Sequence, residues 1–150
     1  MAAIPAAKWG IRYAGYTGAK TVPQKFALIV GIVYVALGVI GFFVTGFSEF
    51  VGGSNGVLLG LFHLNPFRNV VHIALGALAL LAALVLTPPA TEGVNFIFAG
   101  ILIVVAVLGY LGYLQGLLGI PPGVDPDNVL YLVLGVVTLF FSNPAKVLTG

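Results

Sequence analysis

Charge is what this sequence has least of. Its 150 residues include six Lys or Arg and four Asp or Glu, 7% of the chain, where a soluble domain carries about 25%. All of them fall outside four apolar runs: Phe26–Phe47, Val70–Leu86, Val94–Leu118 and Val129–Phe141. There is no cysteine, which excludes disulfides, thiolate metal ligands and cysteine nucleophiles. No basic surface exists for nucleic acid, and neither Ser48 nor Ser54 sits in a G-x-S-x-G elbow. No glycine-rich run has the order a phosphate cradle requires. The composition points to no soluble substrate and to no enzymatic reaction. What is abundant is apolar surface: the mean hydropathy is +1.15, so the natural solvent is membrane lipid.

Crossing about 30 Å of hydrocarbon at 1.5 Å per residue takes about 20 residues. The runs predict four spans at about 26–47, 70–86, 94–118 and 128–142. The expected architecture is an all-α integral-membrane four-helix bundle over residues 26–150, with a basic and aromatic arm at 1–25. The first run is longer than a signal-peptide core of about 7–15 residues and is expected to stay as a span. Lys8, Arg12, Lys20 and Lys25 precede it and Lys146 follows the last span. The positive-inside rule then puts both termini in the cytoplasm, in an inner or thylakoid membrane.

In the arm, Trp9, Tyr13 and Tyr16 alternate with Lys8, Arg12 and Lys20. Amphipathic aromatics and basic side chains suit the headgroup layer, and Trp9, Arg12, Tyr13 and Tyr16 are also candidate partner contacts. Residues 45–69 are too long for a tight turn. Within them Val57–Leu64 is apolar but too short to cross, and is expected to lie in the interface or dip into it before Pro66 stops it. Pro88 and Pro89 end the second span, Thr91 and Glu92 mark a helix start, and Asp127 is a candidate N-cap for the fourth span.

The chain repeats itself. Leu58-Leu59-Gly60 ends nine residues before Asn69, and Leu117-Leu118-Gly119 ends nine before Asn128. Each asparagine is followed by a similar apolar run, which aligns His72 with Tyr131 and Gly76 with Gly135. Two helical hairpins entering the membrane from the same side are expected, related by an axis along the membrane normal. Small residues inside the spans, such as Ala79 and Ala83 or Gly112 and Gly116, are candidate helix contacts.

The densest polar stretch is His63–His72, at the entry to the second span. Asn69 and His72 lie one helical turn apart. An imidazole just inside a span needs a partner, because an unpaired polar group in hydrocarbon costs several kcal/mol. One expectation is a hydrogen bond to a neighbouring helix. The other is axial ligation of a porphyrin-type pigment such as chlorophyll by His72 or His63, with Asn65 and Asn69 also in contact. A resident metal ion is not expected, since two histidines have only Glu49 as a nearby acid in the sequence. With no Asp, Glu, Lys or Arg inside the apolar runs, a transporter is not expected either.

Leu59–Gly76, LGLFHLNPFRNVVHIALG, resembles a family of small four-span bacterial membrane proteins known only as a domain of unknown function, found in actinobacteria and cyanobacteria. The resemblance rests on Asn65, Pro66, Asn69, His72 and Gly76 and extends over about residues 25–142. This chain has Arg68 and Tyr131 where the family often carries histidine. The resemblance implies the four-span architecture. The occurrence of relatives in cyanobacteria makes a photosynthetic reaction-centre complex a candidate partner. The functional expectation is a non-enzymatic accessory subunit of a larger membrane complex. A free-standing homo-oligomeric pore or envelope-stress protein is the alternative.

Overall fold

A computed structural model describes residues 10–11 and 18–149. In order along the chain it contains α1 (Val22–Thr45), β1 (Gly56–Leu58), β2 (Phe62–Leu64), α2 (Pro66–Val85), α3 (Pro88–Tyr110), α4 (Gln115–Leu118), α5 (Pro126–Phe140) and α6 (Pro144–Thr149). Three of these, α1, α2 and α3, are long and apolar enough to cross a membrane. At 15 residues, α5 rises about 22 Å, short of the roughly 30 Å hydrocarbon core. The fold is an all-α membrane four-helix bundle carrying one small β-hairpin.

The helices begin earlier than the apolar runs suggest, and their first turns explain why. Proline occupies the first or second position of α1, α2, α3 and α5, where its missing N–H costs nothing and its fixed φ suits the helix. Polar residues precede them: Thr21, Asn65, Thr87 and Asp125 are the N-caps. Asn65 Oδ1 accepts from Arg68 N at 2.8 Å, and Asp125 Oδ1 from Asp127 N at 2.9 Å. The expected cap at Asp127 is therefore corrected to Asp125, with Asp127 inside the first turn. Likewise α3 starts at Pro88 rather than at Thr91, and Pro66 opens α2 rather than merely ending the segment before it. The third span stops at Tyr110, because Gly112 turns the chain at φ +87. Only Gln115–Leu118 of the expected continuation is helical.

Val57–Leu64, expected to lie in the interface or dip into it, takes the form of a β-hairpin. Gly56–Leu58 pairs antiparallel with Phe62–Leu64, and Asn55 N donates to Leu64 O at 2.8 Å to close the ladder. Leu59 and Gly60 make the turn at φ 54 and 70. A glycine accepts that conformation freely, whereas for leucine it carries strain. A hairpin pairs the facing backbone groups of its two strands, which an irregular apolar loop beside lipid would leave open.

The two halves repeat in space as in sequence. α1 packs on α2 and α3 packs on α5, with equivalent contacts. A Cβ on Gly76 would stand 2.7 Å from Val35 N and 2.9 Å from Gly31 O, and one on Gly135 would stand 3.1 Å from Ile103 N and 3.3 Å from Ala99 O. Ile103 and Ala99 follow Val35 and Gly31 by 68 positions each. At the other end of each hairpin, Asn69 Oδ1 lies where a Cβ of Gly41 would be, and Asn128 Oδ1 where a Cβ of Gly109 would be. These are the close backbone approaches on which packing in lipid depends. Ala79 and Ala83 are buried in the same way, while a Cβ on Gly116 would meet nothing.

Segment 10–11 meets the turn between α2 and α3, with Thr87 N donating to Gly10 O at 2.7 Å. Lys146 of α6 reaches Glu92 of α3 at 2.8 Å. The basic and aromatic residues Trp9, Arg12, Tyr13 and Tyr16 lie outside the described residues.

Candidate functional site

The site lies where α2 and α5 begin, under the hairpin. Arg68, in the first turn of α2, leaves 3% of its surface exposed and Asp127, in the first turn of α5, none. Arg68 Nη2 donates to Asp127 Oδ1 at 2.6 Å. Its Nε donates to Tyr131 Oη at 3.0 Å, and its Nη1 donates to His63 O. The guanidinium carbon also stands 5.2 Å from the Tyr131 ring centroid. Tyr131 Oη lies 3.2 Å from His72 Nε2, and Tyr34 packs edge-on to the His72 ring, centroids 5.4 Å apart. On the outer side, Asp127 Oδ2 accepts from His63 N at 2.9 Å and lies 3.2 Å from His63 Nδ1. One polar chain thus runs His63–Asp127–Arg68–Tyr131–His72, from a partly exposed residue to the bundle interior.

The expectation that the spans carry no charge is corrected here. Arg68, Asp127 and Glu92 all lie within helices and are all buried. They escaped the apolar runs because the helices start three to six residues before those runs do. The charges are nonetheless paired. Burying an ion costs several kcal/mol unless a partner and further hydrogen bonds replace its water, and the four bonds around Arg68 and Asp127 do that.

His72 does hydrogen-bond across to another helix, which fits the simpler of its two expected roles. Its Nε2 is engaged by Tyr131, while its buried Nδ1 has no hydrogen-bond partner among the described residues. His63 faces Asp127 and, at 3.8 Å, Asp125. Asn65 and Asn69, the other two expected ligand contacts, serve the fold. Both are wholly buried, and Asn65 Nδ2 donates to Gly52 O and Leu117 O, both at 3.0 Å. Asn69 Nδ2 donates to Thr45 Oγ1 at 2.9 Å. These amides tie the loops and α1 to α2. The expectation that His63 has only Glu49 as a nearby acid also fails: Asp125 and Asp127, more than 60 positions away, stand beside it.

Beside the polar chain, a cleft of about 370 Å³ opens between α1 and α5. Ile29, Val33 and Leu37 form one wall, Leu130 and Leu134 the other, and Leu58 and Leu59 of the hairpin close one end. Arg68, His72 and Tyr131 border it. Ser54 Oγ donates to Gly56 O at 2.8 Å and Thr138 Oγ1 to Leu134 O at 2.6 Å, so both are spent on backbone carbonyls.

Fold and site define a small integral-membrane bundle of two similar hairpins, locked to each other by a buried ion pair. Residues 24–143 match the family described as domain of unknown function DUF4383, and the chain belongs to that family. Neither a curated protein nor a solved structure matches it.

Proposed function

We propose that the protein is a non-enzymatic accessory subunit that packs against a larger membrane complex. The observation that carries this reading is the cleft between α1 and α5. It is about 370 Å³ in volume, walled by aliphatic side chains and lateral in a bundle whose solvent is lipid. An apolar cavity of about 150 Å³ accepts benzene, so a cleft of this size suits a segment of a hydrocarbon tail. Leu59, 81% exposed and held at positive φ, stands at its end, and strain of that kind is kept where surroundings or function require it. The polar network runs between the two hairpins, and a buried network of this kind rigidifies a fold.

A photosynthetic reaction-centre complex is the candidate partner, with a chlorophyll tail in the cleft and the macrocycle held by the partner. The N- and C-termini are then cytoplasmic, as the basic residues at 8–25 and 146 imply. The test is purification in mild detergent through a C-terminal tag, with mass spectrometry and an absorption spectrum. Stoichiometric co-elution with a larger pigmented complex supports the reading, and Leu134→Trp, which fills the cleft, should weaken that capture. A colourless particle containing only this chain overturns it in favour of a homo-oligomeric pore.

A further inference from the structure

Three metal-ligating side chains from distant parts of the sequence converge at the mouth of the site. His63 comes from β2, Asp125 is the N-cap of α5, and Asp127 lies in that helix's first turn. One ligand atom from each lies within 4.8 Å of the others. His63 Nδ1 is 3.2 Å from Asp127 Oδ2 and 3.8 Å from Asp125 Oδ1.

The charge count around that nitrogen does not close. A neutral imidazole brings at most one N–H to Nδ1, yet two carboxylate oxygens face it. Arg68 compensates one carboxylate through Asp127 Oδ1 at 2.6 Å. Among the described residues no other cation pairs with Asp125 or Asp127, so one negative charge is left over. It is left where charge is costly, for the side chain of Asp127 is wholly buried and that of Asp125 is 14% exposed. A cation at the centre of the three atoms would answer all three at once.

We infer that His63, Asp125 and Asp127 form a binding site for a divalent transition-metal ion, of which zinc is the best match. One imidazole nitrogen and two carboxylate oxygens are a zinc donor set, with bonds of about 2.0–2.2 Å and water in the remaining position. Such bonds place ligand atoms roughly 3.3 Å apart around a tetrahedral ion, close to the 3.2 and 3.8 Å found here. The outer contacts that orient ligands are already present. Arg68 holds the far oxygen of Asp127, and Asp127 N donates to Asp125 Oδ1 at 2.9 Å. The His63 side chain is 28% exposed, which leaves a path of entry. The ion would pin the hairpin of the first half to α5 of the second. The inference is independent of the accessory-subunit reading.

The test uses the full chain in detergent, stripped with a chelator and titrated with zinc chloride by calorimetry. Cobalt(II) serves as a spectroscopic stand-in. The expected result is one ion per chain, a raised Tm and visible cobalt bands of low-symmetry four-coordination. Asp125→Asn and His63→Gln should each lose the ion and the bands. Asparagine caps a helix as well as aspartate, so Asp125→Asn keeps the start of α5 and its unliganded Tm should match that of the stripped parent. Failure of the parent chain to bind zinc stoichiometrically overturns the inference, as does binding that survives both substitutions.

Discussion

Arg68 and Asp127 occupy equivalent positions in the two halves of the chain, 59 residues apart, and their side chains meet at 2.6 Å. The next equivalent pair inward, His72 and Tyr131, also meets, at 3.2 Å. Residues related by a two-fold repeat face each other only near its axis. The repeat has therefore diverged there into complementary partners, cation against anion and imidazole against phenol. Two identical copies would have set arginine against arginine. The asymmetry of sequence at these positions is what lets one chain close on itself.

Breaking that pair from one side should be costly. Arg68→Met leaves Asp127 buried without its counter-charge, and is expected to destabilise the bundle by about 3–5 kcal/mol. Arg68→Met with Asp127→Leu should recover most of the loss, because no isolated charge remains. Unfolding of the detergent-solubilised protein, run as a double-mutant cycle, measures the coupling. Lys146→Ala is the milder comparison: Lys146 is 60% exposed although Glu92 is only 6% exposed, and Asn143 Nδ2 still donates to Glu92 Oε1 at 2.9 Å after the change, so the loss should be smaller. Equal losses for Arg68→Met and Lys146→Ala would refute this account of the lock.

Tyr131→Phe should be worse than His72→Leu, although it deletes one atom. The phenol oxygen serves both Arg68 Nε and His72 Nε2, and its removal strands two buried polar atoms at about 1–3 kcal/mol each. His72→Leu leaves Tyr131 bonded to Arg68 and also removes the partnerless Nδ1. The order of the two Tm values checks this, and a reversal would mean that His72 is held by something other than Tyr131.

Much of this was legible in the sequence, and the misses have definite causes. The four apolar helices and the paired hairpins follow from apolar run length and from the spacing of the repeat. The starts of the helices were missed because hydropathy drops at Asn65, Arg68, Asp125 and Asp127, although proline and a polar cap mark a helix entry there. The hairpin was missed because a short apolar run reads alike as strand or as interfacial helix. The convergence of His63 with Asp125 and Asp127 leaves no local trace. Only superposing the repeats brings position 68 onto 127, and even that does not say that equivalent residues touch.

The equivalence of Gly41 and Gly109 is testable as a pair. Each lies under the Oδ1 of its asparagine, with no room for a Cβ. Both Oδ1 atoms are buried and lack an N–H or O–H donor among the described residues, which leaves a weak C–H···O contact as the interaction open to them there. Gly41→Ala and Gly109→Ala should each destabilise by about 1–3 kcal/mol through overpacking. Gly116→Ala, with open space around it, should be neutral or slightly stabilising. If thermal unfolding ranks Gly116→Ala with the other two, the glycine contacts are not what holds each hairpin together.

The threading can be tested from its cause. Lys8, Arg12 and Lys20 precede α1 and Lys25 lies in its first turn, whereas the basic residue at the opposite end of the helices is Arg68, which is buried against Asp127 and presents no free charge there. The bias therefore rests on the four residues of the arm, helped by Lys146 on the same side. Replacing all four by glutamine should remove the orientation signal. A C-terminal reporter active only in the cytoplasm should then lose much of its signal, while one active only outside gains it. Replacing Lys146 alone should leave both unchanged. If the quadruple variant keeps the reporter fully cytoplasmic, the arm does not set the topology, and the apolar helices must be oriented by another determinant.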